Sequence, residues 1–189
     1  MTDAGAGYGA DAEGDDGDDP LARVSALVRD IPDFPEPGVV FRDITPVLAD
    51  GAAFTTVAVA LAALAGEADL VVGVEARGFL LGAAAALTAG AGLVPVRKAG
   101  KLPRVAASRS YELEYGTATL ELPADTVVPG SRVFVVDDVL ATGGTAAAAC
   151  DLVAAVGGEV LGFAAMIELA ALGGRSRLGD LPVHALLTY

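Results

Sequence analysis

Two adjacent carboxylates, Asp137 and Asp138, follow the apolar run Val133 to Val136 and precede Ala141-Thr142-Gly143-Gly144-Thr145, a string of small residues, two glycines and two hydroxyls. The apolar run reads as a buried strand that ends where the acids begin, and the alanines from Ala146 to Ala149, with Leu152, favour a helix beyond the glycines. A strand, a glycine turn and a helix N-terminus make an anion cradle, because bare backbone N–H groups and the positive end of the helix dipole converge on one point. A phosphate fits there. Ionised Asp only accepts hydrogen bonds whereas a sugar diol donates them, so the acids favour a polyol beside the phosphate over a second phosphate. The string reads as a ribose 5-phosphate site; taken loosely, it would also serve as an ordinary strand and turn with solvated acids. It is not a Walker A loop, since no lysine precedes its hydroxyl.

Two further segments carry cations. Glu75-Ala76-Arg77-Gly78-Phe79 follows the apolar run Leu70 to Val74, and Arg77 at such a strand end has a guanidinium able to fork onto phosphate oxygens. Arg97 to Arg104 holds the chain's two lysines, Lys98 and Lys101, and two of its arginines. In an acidic chain that island suggests a phosphate-rich ligand, with a solvated loop as the alternative. Ile31 to Gly38, with three prolines and a glycine, is neither regular helix nor central strand. The following Val39 to Pro46 reads either as a connector packed by its own Phe residues or as a lid. A lid would offer Val40 and Phe41 to a flat ring and backbone groups to its edge.

The string from Val133 to Thr145 closely resembles the ribose-phosphate signature of the type I phosphoribosyltransferases. The resemblance implies that Asp137 and Asp138 hold the ribose hydroxyls of 5-phosphoribosyl 1-pyrophosphate (PRPP), and that Ala141, Thr142, Gly143, Gly144 and Thr145 hold its 5-phosphate. Asp33 to Pro46 is similar to the hood of adenine phosphoribosyltransferases in particular, which implies adenine contacts from Val40, Phe41 and Arg42. Glu75 to Phe79 matches their pyrophosphate loop, which often contains a non-proline cis peptide, here expected at Glu75-Ala76 or Ala76-Arg77. By the same resemblance Arg77, Lys98 and Lys101 meet the pyrophosphate, and Arg97 joins them or reaches a neighbouring subunit's ligand. Residues from about 99 to 116 resemble the flexible catalytic loop, placing Glu114 near the purine's imidazole edge as a catalytic group beside Asp138. The implied reaction converts adenine and PRPP to AMP and pyrophosphate with Mg2+, held mainly by substrate oxygens and water, in a homodimer. The alternatives are transfer to another purine, or a PRPP-sensing regulator without catalysis.

At 189 residues and 53% hydrophobic content the chain suits one domain with an ample core. Net charge is −13, and seven of the 25 acids lie in the first nineteen residues. That balance argues against nucleic acid or an anionic membrane as the main partner. Residues 1–19 read as a disordered acidic tail and 20–189 as a single domain. The single cysteine, Cys150, suits a reducing compartment. Gly78 to Val96 is uncharged, but its glycines, Thr88 and Pro95 suit helix, turn and strand better than a membrane span, so a soluble cytoplasmic protein is expected.

Strands are expected at Leu70 to Val74, Leu93 to Val96, Thr117 to Leu122, Val133 to Val136, Glu159 to Leu169 and Val183 to Tyr189. Helices are expected at Pro20 to Arg29, Ala52 to Ala65 and Thr145 to Val156, and Val105 to Ser110 reads as mobile. The alternation predicts an α/β fold: a mostly parallel sheet flanked by helices, ligand loops at the strands' C-terminal ends, and a small hood.

Overall fold

The computed structural model describes residues 19–112 and 116–189. Its centre is a seven-stranded sheet. In chain order the strands are β3 (Leu70–Val74), β4 (Gly92–Lys98), β5 (Val105–Glu112), β6 (Thr117–Pro123), β7 (Arg132–Leu140), β8 (Glu159–Glu168) and β9 (Val183–Thr188). Before them come helix α1 (Ala22–Leu27), the ribbon strands β1 (Arg29–Pro32) and β2 (Val40–Asp43), and helices α2 (Thr45–Ala49) and α3 (Gly51–Ala65). Helix α4 (Arg77–Ala89) connects β3 to β4, and α5 (Gly144–Ala155) connects β7 to β8.

The spatial order is β5-β6-β4-β3-β7-β8-β9, parallel from β4 to β9 and antiparallel where β6 joins β4 and β5 joins β6. After β3 the chain builds outward through β4, then returns to β3's other side with β7. The order therefore reverses between β3 and β7, the crevice where open α/β sheets take ligands. Alternation along the buried strands sorts the core into two layers. Val72, Val133, Val135 and Phe163 face α5 through Ala149, Leu152 and Val153. Val71, Phe134, Val136 and Met166 face α3 and α4 through Val57, Leu61, Leu81 and Ala85.

Two expectations need correction. Strand β7 does not stop before the acids: it continues to Leu140, because β8 supplies a ladder through Asp137↔Ala165 and Leu140↔Glu168 after β3 has ended at Gly73↔Val136. Val105 to Ser110, read as mobile, is strand, paired with β6 from Val105↔Pro123 to Glu112↔Thr117. Backbone pairing holds this mostly exposed edge strand, with Ala107 and Tyr111 packed against the core beneath α5. The uncharged stretch Gly78 to Val96 divides between α4 and β4, and no helix among the described residues is long and apolar enough to cross a membrane.

Candidate active site

Helix α4 reaches the crevice because glycines let it lie close on the sheet. A Cβ on Gly73 would stand 2.8 Å from the Gly78 carbonyl oxygen, and one on Gly82 would stand 3.1 Å from the Gly73 Cα. At Gly78 an added Cβ would meet Asp137 Oδ1 at 2.8 Å and the Val136 carbonyl oxygen at 3.0 Å. This packing brings the start of α4 against the two acids. Just before it, the Glu75–Ala76 peptide is cis, one of the two expected positions.

Asp137 and Asp138 are buried, at 7% and 8% exposure. The Asp138 backbone N–H donates to Asp137 Oδ1 at 2.8 Å, and Arg77 Nη2 lies 2.6 Å from Asp138 Oδ2. Burial first, and then the neighbouring Asp138 charge, raises the Asp137 carboxyl well above its ordinary range. The acids thus differ: Asp138 has a guanidinium partner, whereas Asp137 favours its proton. Both stand where β7 runs on past the end of β3.

Beyond the acids the chain passes from β7 through a glycine turn into α5. Gly143 takes φ +81° and is the N-cap residue of α5, and no side chain caps that helix. A small cavity follows the turn, lined by residues from Val139 to Ala146 and including Ala141, Thr142, Gly144 and Thr145. The Thr145 hydroxyl donates to the Tyr111 hydroxyl at 3.1 Å, fastening the end of β5 to the first turn of α5. Glu114 lies outside the described residues.

Arg77 has contacts on two sides of the crevice. Besides Asp138, its guanidinium carbon lies 4.8 Å from the Phe41 ring centroid, and Nη1 donates to the Arg42 carbonyl at 3.5 Å. It joins the acid pair to the hood. There β1 and β2 pair from Arg29↔Asp43 to Pro32↔Val40, and Phe34 meets Phe41 edge-on with ring centroids 5.2 Å apart. Val39, Val40, Phe41 and Arg42 close one side of a mainly apolar pocket whose other walls include Arg77, Val139 and Leu169. Arg42 turns its guanidinium to Asp30 and over the Tyr189 ring, so its side chain braces the hood.

The cationic island leaves β4 on the far side of the crevice. Glu75 Oε2 accepts from the Lys98 backbone N–H at 3.0 Å and from Arg97 Nε at 3.3 Å. The Lys98 N–H, followed by the Arg97 charge, holds the Glu75 carboxyl below its usual range. Arg97 Nη1 also donates to the Lys101 carbonyl at 3.3 Å, while the side chains of Lys98 and Lys101 are exposed. Glu75 therefore organises the start of the island, and both lysine side chains stay exposed.

Sequence reasoning missed Tyr111, Val139 and Leu169, which enter through long-range packing. Cys150 is half-buried, and burial pushes its thiol up to about 12, as suits a structural thiol.

The phosphoribosyl transferase domain family matches residues 48–181. An adenine phosphoribosyltransferase of Kineococcus radiotolerans is 63% identical over 169 residues, covering 88% of this chain and 91% of that one. Among solved structures, the adenine phosphoribosyltransferase of Rhodothermus marinus superposes with a TM-score of 0.85 at 48% identity, covering 90% of this chain and 98% of its own. That of Saccharomyces cerevisiae, complexed with an imino-altritol bisphosphate and adenine, gives 0.83 at 38% identity, covering 88% and 98%.

Proposed function

This chain belongs to the adenine phosphoribosyltransferase family, and we propose that it performs adenine salvage, transferring the 5-phosphoribosyl group of PRPP to adenine with release of pyrophosphate. The observation that carries the reading is the convergence of cradle, acid pair and hood on one crevice, with Arg77 between Asp138 and Phe41. The 5-phosphate belongs at the Ala141 to Thr145 turn, where backbone N–H groups and the α5 dipole favour an anion. Asp137 and Asp138 take the ribose hydroxyls. The hood pocket takes adenine, stacked on Phe41, with backbone groups of Val40 and Arg42 at its edge.

In the reaction the purine's N9 forms a bond to the anomeric carbon, the bond to pyrophosphate breaks with its electron pair, and the N9 proton is lost. Negative charge grows on the leaving group, and Lys98, Lys101, Arg97 and Arg77 supply positive charge around it. Positive charge grows on the ribose, beside Asp138 and its partner Arg77. Glu114 is the proposed partner for the purine proton.

Among the described residues no group of three or more His, Cys, Asp and Glu side chains is placed to hold a metal ion. Mg2+ would be held mainly by substrate oxygens and water, as this ion commonly is at phosphate sites. When bound with PRPP, that ion supplies charge neutralisation to the pyrophosphate.

A cytosolic homodimer completes the reading. The single cysteine suits a reducing compartment, and exposed Leu80, Leu87 and Leu93 on α4 and β4 suit a partner copy. The deciding assay offers adenine, hypoxanthine and guanine separately with PRPP and Mg2+. AMP and pyrophosphate formed from adenine, with hypoxanthine and guanine far slower, is the expected result; preference for another base would overturn the hood assignment.

A further inference from the structure

The phosphate cradle has a wall from a distant part of the chain. A Cβ on Gly143 would stand 2.3 Å from the Gly174 carbonyl oxygen, and one on Gly174 would stand 2.3 Å from the Ala141 carbonyl oxygen and 3.0 Å from the Gly143 nitrogen. The turn from Ala141 to Gly144 and the short 3-10 helix Gly174–Leu178 therefore meet backbone to backbone. Neither can shift without the other.

The next residue, Arg175, anchors that second turn. Its Nε lies 2.7 and 2.9 Å from the two Glu168 carboxylate oxygens, Nη2 lies 2.7 Å from Oε2, and Nη1 donates to the Val183 carbonyl at 2.5 Å. Glu168 is buried, 6% exposed, as the last residue of β8. There it pairs with Leu140, the final residue before the cradle turn, and the Leu169 N–H donates to the Leu140 carbonyl at 2.9 Å. A forked guanidinium on a carboxylate fixes direction as well as distance. One ion pair thus spans the base of the cradle, with Glu168 registered to the strand entering it and Arg175 adjoining the glycine that walls it.

We infer that Arg175 and Glu168 are positioning residues for the sugar 5-phosphate: through Gly174 they hold the Ala141 to Gly144 turn in its anion-binding shape without touching the ligand. The inference rests on the proposed assignment of that turn to the 5-phosphate. Because a fork is required, lysine at 175 keeps the charge and loses the geometry.

The test compares wild type with Arg175→Ala, Arg175→Lys and Glu168→Gln, using calorimetric titration with ribose 5-phosphate and, separately, with pyrophosphate, alongside steady-state rates. A displacement of about 1 Å in a positioned group costs up to roughly a hundredfold. Ribose 5-phosphate affinity and the KM for PRPP should worsen by about tenfold to a hundredfold in Arg175→Ala. Pyrophosphate affinity and the KM for adenine should stay within about twofold, and Arg175→Lys should recover part of the loss. If Arg175→Ala does not fold, Arg175→Lys and Glu168→Gln carry the same comparison. Folded variants with wild-type affinity for ribose 5-phosphate would overturn the inference, as would equal losses for both ligands. Failure of wild type itself to bind ribose 5-phosphate would overturn the 5-phosphate assignment, and this inference with it.

Discussion

Gly78→Ala is the sharpest probe of how the acids are held. The added Cβ would lie 3.0 Å from the Val136 carbonyl oxygen and 2.8 Å from Asp137 Oδ1, where ordinary contact begins at 3.4 Å. Asp137 can rotate, but the Val136 carbonyl is fixed inside β7, so the start of α4 must lift by about 0.4 Å. Overpacking of this kind costs about 1–3 kcal/mol, which for a chain of this size corresponds to a Tm lower by roughly 2–12 °C. The lift also carries Arg77 away from Asp138 and pushes on the carboxylate that accepts the Asp138 N–H. A misplacement of about 1 Å costs up to roughly a hundredfold, so a lift of about 0.4 Å should lower kcat/KM for PRPP by roughly severalfold. Thermal melts and initial rates of AMP formation at varied PRPP provide the measurement, with the exposed Ala83→Ser on the same helix as a control expected to change neither. A Gly78→Ala protein with wild-type Tm and wild-type kcat/KM would refute the claim that this close approach sets the acids.

Asp137→Asn should stabilise the protein at neutral pH while weakening PRPP binding. The folded chain holds the Asp137 proton more tightly than the unfolded chain, whose carboxyl titrates near 3.8, so this group's stabilising contribution is complete below that pH and lost as pH rises through the folded value. The Tm gain of Asp137→Asn over wild type should therefore grow from pH 4 to pH 8; a gain that is flat or negative there contradicts the assignment. Thr142→Val should raise the KM for PRPP by roughly tenfold to a hundredfold, the value of a hydrogen bond to a charged group, and an unchanged KM would remove that hydroxyl from the cradle. Tyr111→Phe loses the bond from Thr145, worth about 0.5–1.5 kcal/mol, and should lower kcat/KM for PRPP about twofold to tenfold. Unaltered kinetics there would show that fastening β5 to α5 does not matter to turnover.

The cradle was legible in the sequence because its parts are contiguous: Asp137 to Thr145 carries the acids, the glycine turn and the helix start in one string. The hood segment was legible in part for the same reason, as Ile31 to Gly38 excludes a regular helix and a central strand and Val40 and Phe41 follow at once, but the two-stranded ribbon that Ile31 and Pro32 form with Val40 and Phe41 was not. Contacts made across the sheet were not legible. Nothing near Gly143 announces that Gly174 will press against it, and Arg175 and Glu168, seven residues apart, gain their meaning only when β8 pairs with β7. Val139 and Leu169 reach the hood pocket by the same pairing. The end of β7 was placed too early because Asp is disfavoured in strands, yet β8 supplies backbone partners whatever the side chains. Val105 to Ser110 looked mobile because Ala106, Ala107 and Ser108 offer no apolar period, while its stability comes from β6.

A buried carboxyl raised by burial and by its neighbour's charge gives the crevice a chemical memory of its surroundings. Asp137 favours its proton in a buried place beside the Asp138 charge, and sugar hydroxyls that donate to its oxygens favour the ionised form instead. On the proposed assignment of the ribose to Asp137, sugar binding draws this carboxyl toward its ionised form, and the heat measured on titration should then depend on the ionisation enthalpy of the buffer. Recognition of a neutral diol thereby becomes linked to the acidity of the solution, although the diol itself does not titrate there.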